Sequence, residues 1–154
     1  LMIPYVAMAH AIGRIGCLAA GCCFGRPCAL PWAITYPEGS MPYLAQQAEG
    51  LLLASGAMSP VHPTQLYEAA FEFALFFLLL RVRTVQRFSG QLFFTWLTIY
   101  PIGRWIIETM RGDAERGVWI ISTSQWISLM VVGFSAISLF LLYKRSSSLR
   151  KFSK

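Results

Sequence analysis

Charge is what this chain of 154 residues has least of. Only 13% of its residues are Asp, Glu, Lys or Arg, against about 25% in soluble domains. A soluble domain this small must coat itself with charge, so the ordinary globular reading fails. Between Gly117 and Tyr143 there is no charged side chain at all. The composition equally excludes a disordered chain, a collagen or a disulfide miniprotein. Internal repeats and low-complexity tracts are missing. No C-x2-C pair is present, so neither a zinc ribbon nor a thioredoxin-like site is indicated. No basic region precedes the first apolar run, which therefore does not read as a secretory signal.

What is there is apolar. The hydrophobic fraction is 56% and the mean hydropathy +0.54. The length suggests one domain. Four stretches approach the roughly 20 mainly apolar residues that cross a bilayer. They run from Leu1 to about Ala20, from about Thr64 to Leu80, from Ser89 to about Ile107, and from about Thr123 to Tyr143. The first two are weaker, being short or interrupted by polar residues. The competing reading is a set of buried core helices in a soluble protein, and the shortage of charge elsewhere argues against it. The expected fold is an all-α polytopic membrane protein with about four transmembrane helices.

The basic residues give the orientation. Arg81, Arg83 and Arg87 lie between the second and third stretches, and Lys144, Arg145, Arg150, Lys151 and Lys154 follow the fourth. No acid accompanies them, and the positive-inside rule places both regions in the cytoplasm. Two spans separate them, so the assignments agree. All seven acidic residues fall elsewhere. The segments from about Gly21 to Pro63 and from about Glu108 to Ser122 then face outward. The net charge of +6 follows from topology, and no nucleic-acid partner is implied. Residues 1–143 read as the membrane domain and 144–154 as a polar, basic, mobile tail. Leu1 precedes Met2, and the chain begins already apolar, which suggests a start within a longer protein.

A charge at membrane depth costs roughly 2.5–3.5 kcal/mol on insertion scales and needs a reason. Arg14 lies about 9 Å below the outer end of the first stretch, and Arg104 about 22 Å up the third from the cytoplasmic side. Two guanidiniums thus approach the outer leaflet from different helices. A guanidinium suits phosphate because its planar fork donates two parallel hydrogen bonds and stays charged. Either arginine alone is explained by snorkelling to the headgroups. The pair, with polar neighbours at helical spacing, favours a site. His10, Arg14, Cys17 and Gly21 share one helical face, and Tyr100, Arg104, Glu108 and Arg111 share another. Pro101 and Gly103 can bend the helix beside that second stripe. Arg104 and Glu108 could also form a plain ion pair one turn apart.

HPTQLYE, residues 62–68, reads as a helix start with Pro63 at the first helical position. Gln65, Glu68 and Glu72 then share a face that could hold the arginines or orient a polar headgroup. His62 reads equally well as part of an interfacial helix cap. GCCFGRP, residues 21–27, is a glycine-punctuated loop able to turn tightly and expose backbone N–H groups to an anion. Cys17, Cys22, Cys23 and Cys28 are spaced C-x4-C-C-x4-C. An outward location permits a disulfide, either Cys23 with Cys28 or Cys22 with Cys28. Cys17 reads as a free thiol packed as a small apolar residue.

Taken together, HAIGRIGCLAAGCCFGRP from His10, HPTQLYE from His62, YPIGRWIIETMR from Tyr100 and STSQWISL from Ser122 resemble prolipoprotein diacylglyceryl transferase. The four blocks occur in the family's order. The resemblance implies transfer of the diacylglyceryl group of phosphatidylglycerol to the lipobox cysteine of a prolipoprotein signal peptide. A thioether forms and glycerol phosphate leaves. It implies a multi-pass protein of the bacterial inner membrane, without metal or other cofactor, whose C-terminus is cytoplasmic and whose site lies near the outer leaflet. Arg14 and Arg104 look like the family's two essential arginines, and Gly25 like the closing glycine of its signature. Tyr100 and Glu108 look like the tyrosine and the acid of the later block. The signature usually continues G-R-I-G-N-F-x-N-G-E. Here Cys17 and Ala20 replace its asparagines and Cys22 its glutamate, and the family's upstream His-Gly-Gly element is not in this sequence.

Arg14, Arg104 and His10 are therefore the expected catalytic residues, with His10 a possible base. Gly25, Tyr100, Glu108, Arg111, Gln65 and Glu68 are the expected substrate-binding residues. Two rivals remain open. One is a membrane thiol-disulfide oxidoreductase using the Cys17–Cys28 cluster. The other is a non-catalytic phospholipid-binding subunit using the same arginines.

Overall fold

The computed structural model describes residues 2–111, 117–118 and 121–152. Helices are the main regular structure of the described residues, with one small strand pair. Its elements are α1 (Ile3–Ala19), α2 (Met41–Ala48), α3 (Thr64–Thr84), α4 (Gln91–Glu108), β1 (Gly117–Val118), β2 (Ile121–Ser122) and α5 (Thr123–Phe152). The two strands pair antiparallel, Gly117 opposite Ser122. Each of the four apolar stretches forms a helix. Within α5, Gln125–Ser147 is long and apolar enough to cross a membrane, and α1 is a shorter apolar helix.

The helix ends follow local chemistry. Pro4 occupies the first turn of α1, where a missing N–H costs nothing. The helix ends at Gly21, whose φ of 67° is left-handed. The Gly21 N–H bonds the Leu18 carbonyl, and the Cys22 N–H the Cys17 carbonyl. Those two bonds make a Schellman stop, for which glycine is the natural residue. Pro63 stands just before α3, one position earlier than the sequence pattern suggests, and Thr64 opens the helix. Arg81 and Arg83 in the last turn of α3 oppose the negative end of its dipole. Pro101 lies inside α4 without ending it, and leaves the Leu97 carbonyl without its usual helical donor.

Helix α3 is the centre of the bundle. Helices α1 and α4 pack against it, and α5 packs on the far side of α4. The buried stripe of α3 reads Gln65, Glu68, Glu72, Leu75, Phe76, Leu79, at the three- and four-residue spacing of one helical face. Its first half is polar and its second half apolar. The apolar half joins Ala7 of α1 and Leu92 of α4 in the core. The polar half lies at the other end, beside Arg14 and Arg104.

The outer surface reverses the soluble pattern. Leu66, Phe77 and Leu78 of α3 are exposed, as are Ile102, Trp105 and Ile106 of α4 and Trp126, Met130, Phe134, Ile137 and Phe140 of α5. Glu68, Glu72, Ser128 and Ser135 are buried. A soluble monomer does not expose continuous apolar faces of this size. A helix in hydrocarbon does, and its helices join through small and hydroxylated residues. Between α4 and α5 the Thr98 hydroxyl donates to that of Ser135 at 2.9 Å. The architecture is that of a helical membrane protein.

The two basic regions meet at one end of the bundle. The Arg87 guanidinium donates to the Tyr143 hydroxyl and lies 5.0 Å from the centre of its ring. The Ser146 hydroxyl donates to the Arg87 carbonyl at 3.1 Å. Helix α5 continues through the basic segment as far as Phe152. No Pro or Gly interrupts it after Gly133, and Lys and Arg are good helix formers.

At the opposite end, residues 20–63 form an ordered cap that includes α2, which the apolar pattern did not reveal. Buried Gln46 donates to the Ser59 carbonyl at 3.0 Å and accepts from the Ser59 N–H at 2.8 Å. Single bridges tie Pro27 and Ile34 to Val61, and Gly25 to Arg111.

Candidate active site

One carboxylate gathers Arg14 and Arg104. Glu68 Oε2 pairs with Arg14 Nε, and Glu68 Oε1 pairs with Arg104 Nη1. Arg104 Nη2 pairs with Glu108 Oε2 at 2.9 Å, one turn along α4. Arg111 Nε lies 3.9 Å from the same Glu108 oxygen. The two guanidiniums are 14% exposed, and the carboxylates of Glu68 and Glu108 7% and 8%. Among the described residues this cluster holds three guanidiniums and two carboxylates, with the Glu72 carboxylate one turn along α3. Desolvating such groups is costly unless they are paired and hydrogen-bonded, and here α1, α3 and α4 each contribute to the pairing.

A second polar pair lies beside it. His10 Nδ1 is 2.8 Å from Glu72 Oε1. The His10 ring contacts Tyr100 at 5.4 Å between centroids, and Tyr100 stacks on Trp96 at 5.2 Å and 14°. Glu72 is one helical turn from Glu68, on the same face of α3. The sequence placed it on that face without giving it a function, and its partner His10 is visible only in the folded chain.

The 21–27 loop holds these helices together. Gly25 N–H donates to the His62 carbonyl at 3.0 Å, and Arg26 N–H to the Met110 carbonyl at 2.9 Å. The Arg26 side chain donates to the Arg111 carbonyl at 2.8 Å. A Cβ on Gly25 would lie 2.5 Å from His62 Cβ and 2.6 Å from its carbonyl oxygen. Only glycine allows this approach of the two backbones. The Thr64 hydroxyl donates to the Cys23 carbonyl at 2.7 Å. Gln65 Nε2 donates to the Cys22 carbonyl at 2.6 Å and the Tyr36 hydroxyl at 3.0 Å. Burial raises Tyr36 above the ordinary tyrosine range, against the lowering effect of the Gln65 bond.

These contacts revise two expectations. Gln65 shares the buried face with Glu68, but its amide holds the loop and not an arginine. All four cysteines are free thiols, so neither Cys22–Cys28 nor Cys23–Cys28 forms a disulfide. The reason is the Schellman turn, which folds Cys22 back over Cys17. Cys28 belongs to the next extended stretch, where its N–H donates to the Pro60 carbonyl at 2.8 Å. Burial, followed by hydrogen bonding to Cys17 and Cys23, pushes the Cys22 thiol up to about 11.

A cavity of about 570 Å³ lies between α3 and α4 under the 30–32 loop. Among the described residues its walls include Trp32, Phe71, Ile102, Ile106 and Met110, and no arginine or carboxylate. The cavity is thus apolar and separate from the ionic cluster. Yet Tyr67 and Gly103, the chain neighbours of Glu68 and Arg104, line it. Gly103 makes room for the Phe71 ring, whose nearest atom would be 2.3 Å from a Cβ. Phe71 and Tyr67 were not singled out in the sequence, because aromatic residues in an apolar helix carry no distinguishing signal.

Fold and cluster together define a class: a helical membrane protein with buried guanidiniums at one end of its bundle. The chain belongs to the prolipoprotein diacylglyceryl transferase family, whose profile matches residues 1–141. It is 38% identical over 132 residues to the phosphatidylglycerol--prolipoprotein diacylglyceryl transferase of Clostridium tetani, covering 86% of this chain and 48% of that protein. It is 34% identical over 132 residues to phosphatidylglycerol--prolipoprotein diacylglyceryl transferase 2 of Clostridium perfringens, covering 86% and 46%. The similarly named protein of Oceanobacillus iheyensis is 32% identical over 147 residues, covering 96% and 48%. The chain spans about half the length of the curated relatives it matches.

Proposed function

We propose that this chain carries the headgroup-binding part of a transferase. The enzyme would move the diacylglyceryl group of phosphatidylglycerol to the lipobox cysteine of a prolipoprotein. The observation that carries this is the meeting of Arg14 and Arg104 on Glu68. A phosphodiester oxygen can accept from guanidinium N–H groups that the carboxylates leave over. Glu68 keeps both forks aligned before the lipid arrives, which is the preorganisation that makes electrostatic stabilisation effective.

Residues 1–143 form the membrane domain, with α1, α3, α4 and α5 as four spans. At 1.5 Å per residue their lengths are about 26, 32, 27 and 45 Å, near or above the roughly 30 Å hydrocarbon core. The Arg81–Arg87 hairpin and the basic end of α5 (144–154) face the cytoplasm, which puts the arginine cluster near the outer leaflet. The protein resides in the bacterial inner membrane. One acyl chain occupies the apolar cavity beside Gly103, while the headgroup reaches the guanidiniums.

In the reaction the cysteine sulfur attacks the sn-3 carbon of the diacylglyceryl group. The new bond is S–C, and the bond broken joins that carbon to a phosphate oxygen. Its electron pair leaves with glycerol phosphate, onto Arg14 and Arg104. The thiol must lose its proton to attack. His10 is the proposed acceptor, held by Glu72, whose Oε2 is buried with no hydrogen-bond partner among the described residues. Tyr100 packs on His10 and limits its rotation. Glu108 holds Arg104, and Arg111 lies on the same Glu108 oxygen.

The test is to reconstitute the chain with phosphatidylglycerol and a lipobox peptide. A diacylglyceryl mass gain on the peptide cysteine, with release of glycerol phosphate, is expected. Selective binding of phosphatidylglycerol with no gain would assign a lipid-holding role. Loss of both would refute the proposal.

A further inference from the structure

The transferase reading leaves the cysteines without a task. The Sγ atoms of Cys17, Cys22 and Cys23 all lie within 4.8 Å of one another. Three independent devices bring them there. The Schellman turn stacks Cys22 over Cys17, and the Cys22 thiol donates to the Cys17 carbonyl at 3.7 Å. Cys23 has a φ of 62°, the one left-handed non-glycine conformation among the described residues, and a costly one for such a side chain. Thr64 and Gln65 hold the Cys23 and Cys22 carbonyls from α3. The thiols are therefore fixed by a neighbouring helix, and are half-buried. A disulfide would use two of them and leave the third.

We propose that Cys17, Cys22 and Cys23 bind one thiophilic d10 metal ion of the Cu(I) type through their three sulfurs. A metal–sulfur distance of about 2.3 Å places three sulfurs of a trigonal site about 4 Å apart, so small side-chain rotations complete it. Soft sulfur ligands select Cu(I) and Zn(II) over hard cations. No histidine or carboxylate joins the group among the described residues. Three sulfurs satisfy Cu(I), whereas structural Zn(II) takes four ligands. Binding displaces the thiol protons. No electron transfer is involved. The ion would pin the end of α1, three residues beyond Arg14, to the loop that carries Gly25. The site stands whether or not the chain transfers lipid.

The test uses the whole chain in detergent, reduced, and titrated with Cu(I) against a chromophoric Cu(I) chelator. One tightly held equivalent is expected. In the loaded protein, Cys17, Cys22 and Cys23 should resist alkylation while Cys28 still reacts, as read by peptide mass spectrometry. That measurement needs no variant. Cys17→Ser, Cys22→Ser and Cys23→Ser should each weaken binding at least tenfold, and Cys28→Ser should not. Equal protection of Cys28, equal loss in Cys28→Ser, or binding without a fixed stoichiometry would overturn the site. A parallel Zn(II) titration should give weaker binding, and preference for Zn(II) would overturn the three-coordinate assignment.

Discussion

Replacing Arg104 with lysine keeps the charge and removes the fork. Arg104 reaches Glu68 through Nη1 and Glu108 through Nη2, the latter at 2.9 Å. A single ammonium on a flexible stem cannot hold both carboxylates in that geometry. One charge-assisted hydrogen bond is lost, worth about 1.5–3 kcal/mol. At 1.4 kcal/mol per tenfold, that is roughly a 10- to 100-fold loss if the bond goes to a bound phosphate. The expected result for Arg104→Lys is a weakened preference for phosphatidylglycerol over phosphatidylcholine, by about that factor, in native mass spectrometry of the reconstituted chain. Thermal unfolding in the same membrane mimic reports the stability loss separately. In a Glu108→Gln background the lysine substitution should cost less, because one of the two carboxylate partners is already gone. Unchanged lipid selectivity in Arg104→Lys, with normal folding, would refute the fork argument. Full additivity of the two substitutions would show that Arg104 and Glu108 act separately.

Further outcomes follow from individual contacts. Gly25→Ala should destabilise the protein by about 1–3 kcal/mol, since the added methyl meets His62 backbone and Cβ atoms that cannot turn aside. Gly13→Ala meets nothing within 4 Å and should gain about 0.5–1 kcal/mol of helix stability; thermal melts of the two variants check the contrast. Thr98→Val should loosen α5 from α4 by roughly 0.6–1.7 kcal/mol, the range for interhelical hydrogen bonds in membranes, as measured by steric-trap or denaturant unfolding in detergent. Cys22, raised from 9.0 to about 11, should alkylate at least tenfold more slowly at pH 8 than free cysteine. Because the folded state keeps that proton longer than the unfolded state, stability should fall as pH rises from about 9 and level off above about 11. A flat stability profile over that window would contradict the burial of the Cys22 thiol.

Much of this protein was legible in its sequence, for physical reasons. A membrane helix must satisfy its own backbone and show lipid an apolar face, so four apolar stretches marked the four long helices to within a few residues before Tyr143. Charges at depth are expensive enough to stand out, which is why Arg14, Arg104, Glu68 and Glu108 could be chosen from spacing alone. Helical periodicity put Glu68 and Glu72 on one face. It could not say that Glu68 joins both arginines while Glu72 joins His10, because those pairs depend on how α1 and α4 lie across α3. The short helix α2 escaped notice, since its order rests on buried Gln46 meeting Ser59 and not on a long apolar run. The cysteine spacing suggested pairs with Cys28, but a left-handed glycine and a left-handed cysteine turned three thiols toward one another instead. Sequence alone marked where the long apolar helices run, because apolar patterning is a property of composition along the chain. Tertiary structure decided which of them meet, because hydrogen bonds and thiol contacts act over a few ångströms that only the packed helices set.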